Sequence, residues 1–146
     1  MRDQTKEKGP CKYTCCKLSK VVKKIQRYYD SALNTFEITP AQFYVLNVLL
    51  ENNGLKFKSL AEKAHMDGST LTGILDRMEN SGFLERRPDP EDRRSLLVFL
   101  TEKAELIGPE IAKTADELEE KIRSQFSNKE FSNFIKVLDK LFEIKI

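Results

Sequence analysis

The residues of this chain that could do chemistry fall into four groups. The first is a cluster of thiols at Cys11, Cys15 and Cys16, with no cysteine later in the 146 residues. Lys12 and Lys17 flank Cys15, and nearby positive charge favours the reactive thiolate. That makes Cys15, with its neighbour Cys16, a candidate redox thiol. Equally, free cysteine behaves as a small hydrophobe, so Cys11 and Cys15 could simply extend an apolar helix face. Three thiols could also hold a soft metal. With His65 as the sole histidine, however, a structural metal site is not expected, and no cofactor is expected either. An odd, clustered set is not a disulfide framework. No G-x-S-x-G, H-E-x-x-H or P-loop sequence occurs, so enzyme chemistry is not expected.

The second group is Ser69, Thr70, Thr72 and Arg77, a hydroxyl-rich run leading to a cation. Short hydroxyl side chains at the start of a helix can reach phosphates or base edges. Lys58 and Ser59, at the start of a preceding helix, could add backbone contacts. The third group is Asp92-Arg93-Arg94, in a polar stretch between two apolar runs. A guanidinium at a hairpin tip is drawn to the concentrated negative potential of a minor groove. Asp92 is expected to brace an arginine through a bidentate pair. The fourth group is Tyr28, Phe36, Phe43 and Tyr44. These aromatics could line a crevice for a small molecule, or they could be core.

The elements that must carry these groups are legible from apolar spacing. Cys11, Cys15, Leu18, Val22, Ile25, Tyr29, Leu33 and Phe36 recur every three or four residues, one stripe of a long helix. Thr39-Pro40 with Gln42 opens a second helix as a capping box with proline at its first position. A short helix holds Leu60, Ala61 and Ala64. Another, from about Ser69 to Asn80, buries Leu71, Ile74, Leu75 and Met78. Phe83–Arg87 and Leu96–Leu100 read as two strands of a hairpin with a long, proline-marked tip. From Thr101, the apolar positions Ile107, Ile111, Ala115, Leu118, Ile122 and Phe126 mark a second long helix, with a kink expected at Gly108-Pro109. Ser127 and Glu130 cap a last amphipathic helix.

Charge separates these zones. Residues 1–27 hold nine Lys/Arg against two Asp/Glu, while residues 28–101 hold eight against eleven. Binding of a polyanion by the middle zone must therefore depend on a few placed cations rather than on bulk charge. No stretch is long and apolar enough to span a membrane, and the polar start, Met1–Pro10, has no secretory core. A cytoplasmic location is expected.

Helix, turn, helix and a two-stranded wing together form a module that reads duplex DNA. The fold class expected is mainly α with a small β-hairpin wing. It is a single domain over 1–146, with dimerisation helices in 1–36 and 102–146 and a winged helix-turn-helix in 37–101. The stretch Gly82–Ala104, with Asp92-x-Arg94 and then Val98-x-Leu100-Thr101, resembles the wing signature of the MarR family of transcriptional regulators. Ile38-Thr39-Pro40-x-Gln42-Phe43, Leu60-Ala61, Ser69–Thr72 and Leu75–Glu79 fit the same family, and the similarity spans about residues 12–142. Gly73 stands where many members carry a basic residue.

The resemblance implies a homodimer held by its first and last helices, two winged modules in successive major grooves, and a crevice for small, often aromatic, effectors. It also implies a ligand- or redox-responsive repressor. In the organic-hydroperoxide branch of the family, tyrosines bond the reactive thiol, a role that would fall here to Tyr29 beside Cys15. The different class left open is a winged-helix protein-interaction module without DNA binding. The apolar stripes at both ends predict a dimer: sedimentation at micromolar concentration should show two copies. Ile122→Glu or Leu138→Glu should dissociate or unfold it by burying an unpaired charge.

Overall fold

The computed structural model describes residues 12–145, so Cys11 lies outside the described residues. Helix α1, Thr14–Leu33, ends in a short 3-10 turn at Asn34–Phe36. Helix α2 is Pro40–Glu51, strand β1 Leu55–Lys56, α3 Phe57–Lys63 and α4 Gly68–Asn80. Strands β2, Leu84–Pro88, and β3, Leu96–Leu100, precede α5, Glu102–Arg123, and α6, Asn128–Glu143.

Local chemistry accounts for most boundaries. Thr39 and Gln42 close the expected capping box, the Gln42 side chain accepting the Thr39 N–H at 2.8 Å. Ser127 and Glu130 do the same for α6. One boundary differs from expectation. Helix α4 starts at Gly68 rather than Ser69, because the Asp67 carboxylate caps it. Helix α5 runs as one element through Pro109, where proline removes an intrahelical donor.

The sheet also has a strand that the pattern did not reveal. Its order is β1-β3-β2, all antiparallel, with Leu55 opposite Val98 and Leu84 opposite Leu100. A two-residue strand carries no alternation to detect. Tertiary pairing creates it: the Asn53 side-chain oxygen accepts the Leu100 N–H at 2.9 Å, and Gly54 N–H donates to the Val98 carbonyl at 3.0 Å.

One core joins these parts. Leu46, Leu49, Leu60, Leu71, Ile74, Leu75, Met78, Leu84, Val98 and Ile111 are all fully buried. Each such side chain contributes roughly 1.5–3 kcal/mol of burial. Ala104 and Ile111 of α5 belong to this core, so the first half of that helix is part of the winged unit as well as the start of the C-terminal region. The far ends of the long helices are different. Leu18, Val21 and Val22 on α1 are exposed, as are Phe134, Val137, Leu141 and Phe142 on α6, and no residue of α6 is buried. Among the described residues, no helix is long and apolar enough to cross a membrane.

Gly54 is the tightest point of the sheet. Its φ is +78°, and a Cβ built there would lie 2.6 Å from the Phe99 ring. Gly54→Ala should therefore lose about 1–3 kcal/mol of stability from backbone strain and overpacking, read by denaturant unfolding.

Candidate nucleic-acid interface

The apolar positions of α4 decide which of its residues face outward. Leu71, Ile74, Leu75 and Met78 are sunk in the core. At about 100° per residue, the opposite arc presents Ser69, Thr70, Thr72, Gly73, Asp76 and Arg77. Ser69, Thr70, Thr72 and Arg77 are all exposed, as read from the sequence.

Their hydrogen bonds change what they can do. Asp67 accepts from Ser69 Oγ at 2.7 Å, Thr70 Oγ1 at 2.6 Å and the Thr70 N–H at 2.9 Å. Thr72 Oγ1 donates to the Gly68 carbonyl at 2.8 Å. A carboxylate and a carbonyl only accept, so each hydroxyl has committed its single proton inward. These bonds hold the Asp67 carboxyl well below the usual carboxylate range, the Thr70 hydroxyl contributing most. In this arrangement the three hydroxyls direct their protons inward rather than toward a phosphate. They present lone pairs outward, suited to the amino groups of adenine or cytosine in a major groove.

The wing tip is organised by a residue that sequence reasoning passed over. Asp89 is only 3% exposed. Its N–H donates to the Ser95 carbonyl at 3.0 Å, and its carboxylate accepts the Glu91 N–H at 2.9 Å. Lys56 Nζ of β1 lies 2.9 Å from the same carboxylate. Lys56 and the Glu91 N–H hold the Asp89 carboxyl below its ordinary range, and Asp89 raises the lysine in turn. The signal in the sequence was an aspartate between two prolines, Pro88-Asp89-Pro90, a turn-shaping pattern.

Asp92 acts otherwise than expected. Among the described residues no ion pair joins it to Arg93 or Arg94. Its carboxylate accepts the Arg94 backbone N–H at 3.0 Å, while its carbonyl accepts the Ser95 N–H at 2.8 Å. It shapes the turn through the backbone, because i and i+2 in a tight turn bring a carboxylate to an N–H rather than to a guanidinium.

The cations of residues 28–101 thus divide into two sets. Lys56 pairs with Asp89, Arg86 with Asp76 and Glu79, and Arg87 with Glu85. Arg87 also lies over the Phe99 ring, 4.5 Å from its centre. Lys58, Lys63, Arg77, Arg93 and Arg94 form no ion pair among the described residues and are exposed. Four of these five, all but Lys63, are cations picked from the sequence; Ser59, beside Lys58, is half-buried.

The regulatory candidates fare less evenly. Cys15 is exposed and Cys16 half-buried on α1. Tyr29 stands 14 residues from Cys15 on one helix, roughly 21 Å away at the helical rise. Its hydroxyl faces Glu119 of α5 at 3.4 Å. Burial, with Glu119 next in weight, pushes the Tyr29 phenol up to about 12. Tyr29 is therefore not a partner of Cys15 within one chain. Among the crevice aromatics, Phe43 is core, with Phe36 packed against it, and Tyr28 and Tyr44 are about half exposed. A groove of about 450 Å³ lies elsewhere, between α3, α4 and the wing. Phe57, Leu75, Leu96 and Val98 give it apolar walls; Lys56, Lys58, Thr72, Arg86 and Arg94 give it a cationic, polar rim.

Comparisons with known proteins agree with this geometry. A model of the MarR family matches residues 38–96. The organic hydroperoxide resistance transcriptional regulator of Bacillus subtilis (strain 168) is 35% identical over 85 residues, 58% of each chain. A crystal structure of MarR is 32% identical with a TM-score of 0.70, covering 86% of this chain and 92% of that one. Reduced AbfR bound to DNA is 25% identical with a TM-score of 0.71, covering 88% of each chain. The chain spans about half the length of the first curated relatives it matches, 40% of one and 58% of another.

Asp89 should prove more important to the wing than Asp92. Asp89→Ala strands Lys56 and the Glu91 N–H, whereas Asp92→Ala frees one turn N–H, so Asp89→Ala should lower the melting temperature further. Because the Asp89 carboxyl is depressed in the folded state, its contribution is present above its ordinary pKa, about 4, and is lost as pH falls below it. The protection factor of the Glu91 amide, its exchange rate relative to the unstructured rate at the same pH, should fall on acidification in the parent protein but not in Asp89→Ala.

Proposed function

The chain belongs to the MarR family, and on that premise we propose that it is a sequence-specific regulator of transcription, a repressor that binds duplex DNA as a homodimer in the cytoplasm. The observation that carries this reading is the division of cations just described. Lys58 and Arg77 on the helix-turn-helix and Arg93 and Arg94 on the wing are exposed and unpaired, while their neighbours are neutralised. A relative solved on DNA supports it. A second copy supplies what the exposed faces of α1 and α6 lack, namely a partner for Leu18, Val22, Phe134 and Leu141.

Affinity in this reading comes from phosphate contacts of the free cations, and specificity from the outward lone pairs of α4. Control can enter at two places. The 450 Å³ groove suits a small aromatic anion, with carbon surface below and Lys58 and Arg94 above. An occupant would compete with DNA for Lys58 and Arg94. Cys15 is open to oxidants, in keeping with similarity to a regulator of organic hydroperoxide resistance.

Selection of bound duplexes from a random pool, with and without hydroperoxide, tests the reading. The selected sites should be pseudo-palindromes with half-sites about one helical turn apart, ~10 bp between centres. Arg94→Ala should weaken binding by roughly 1–3 kcal/mol, and Cys15→Ser should abolish any release by oxidant. Salt-insensitive binding with no selected sequence would instead favour a protein-interaction module.

A further inference from the structure

We propose that Arg86 is a positioning residue that locks the wing to the recognition helix, so that the two read DNA as one rigid head. The inference rests on the DNA-reading function proposed above. It starts from a short connection. Helix α4 ends at Asn80 and β2 begins at Leu84, so only Ser81, Gly82 and Phe83 join them. Gly82 has φ +74°. The Gly82 and Phe83 N–H groups close the helix on the Glu79 and Met78 carbonyls, and the Thr101 hydroxyl donates to the Gly82 carbonyl, so the connection holds the root of the wing while the strand beyond it needs a tie of its own.

Arg86 crosses this connection. Its Nη2 lies 2.5 Å from Asp76 Oδ1 and its Nη1 lies 3.5 Å from Glu79 Oε2. Its backbone N–H donates to Glu79 Oε1 at 3.3 Å. The side chain is only 25% exposed, so the pair is partly shielded from solvent. A planar fork gripping two carboxylates on successive turns of one helix fixes orientation as well as distance. Arg86 also stands at the middle of β2, opposite Val98 of β3. The strand it anchors therefore carries the whole hairpin, out to Arg93 and Arg94.

The geometry separates Arg86 from the cations that meet DNA. With its guanidinium committed to Asp76 and Glu79, it acts through the relative placement of Arg77 on α4 and Arg94 on the wing. Rigidity here lowers the ordering penalty of binding, since one head docks instead of two loosely joined parts. A second effect runs beside it. Arg86 neutralises two carboxylates near the DNA face, and the test must separate this from locking.

The experiment measures affinity of the full chain for its selected duplex at fixed salt, with a thermal melt of each variant. Arg86→Met should bind about tenfold more weakly. Removing the two carboxylates as well, in Arg86→Met/Asp76→Asn/Glu79→Gln, should not restore affinity, because the tie is still absent. Coupling between the two reading elements gives the decisive readout. In the parent protein, losses from Arg77→Ala and Arg94→Ala should depart from multiplicativity by about threefold or more. In the Arg86→Met background they should simply multiply. Arg86→Lys, which keeps the charge and one ion pair, should restore part of the coupling and guards against misfolding of the methionine variant. Recovery of affinity in the triple variant, or unchanged coupling without Arg86, would overturn the proposal while leaving DNA reading intact. A parent protein with no sequence preference among duplexes would instead overturn the function on which it rests.

Discussion

Burial of four side chains on one helix governs what this molecule can present. Leu71, Ile74, Leu75 and Met78 are each 2% exposed or less, and together they fix the rotation of α4 about its axis. Turning the helix by one residue would swing its apolar arc outward and carry Arg77 or Asp76 towards the core, where an unpaired charge is costly. The outward arc of Ser69, Thr72, Gly73 and Arg77 is thus a consequence of packing beneath it. Leu84 and Val98 complete the same core, which places the wing beside that arc.

On this scaffold the electrostatics are economical. The winged lobe, residues 28–101, carries more acid than base, so a polyanion would meet no general positive field there. Its acids are spent on structure instead. Asp67 caps the recognition helix, Asp89 holds the wing turn, and Asp76 and Glu79 hold Arg86. Each of these carboxylates is matched by donors or a cation of the chain itself. Beside them stands a small set of exposed cations with no ion pair among the described residues, which makes phosphate attraction local and dependent on individual side chains. The inward commitment of the Ser69, Thr70 and Thr72 protons adds a selective element to that attraction.

The long helices serve a different end. The lower part of α1 and the first half of α5 are welded to the winged unit through Leu33, Ala104 and Ile111. The outer parts of α1 and α5 enclose, with α6, an apolar hollow of about 480 Å³ bounded by Val21, Ile25, Ile122, Phe126, Phe131 and Phe134. Such a surface is stable in water only when covered. The same helices thus join an uncovered apolar face to the winged unit.

Much of this was legible in the residues themselves, for physical reasons that are local. A helix announces itself by apolar spacing, a capping box by Thr39 with Gln42, and a hairpin by β-rich runs around a proline-marked turn. Exposed cations on a recognition helix and a wing tip follow from those patterns, and Arg77, Arg93 and Arg94 were found that way. Interactions between elements were not legible. The two-residue strand Leu55–Lys56 has no periodicity of its own and exists because β3 offers it partners. Asp92 was read as a side-chain brace, yet turn geometry points its carboxylate at a backbone N–H. Tyr29 was paired with Cys15 along a stripe, yet a straight helix holds them far apart and α5 supplies Glu119 instead. The sequence by itself determined the helices and the wing, because each depends on neighbours within a few residues. Only the tertiary structure decided which cations are paired and the roles of Arg86 and Asp89, because the direction of a charged side chain is set by whichever partners the fold brings beside it.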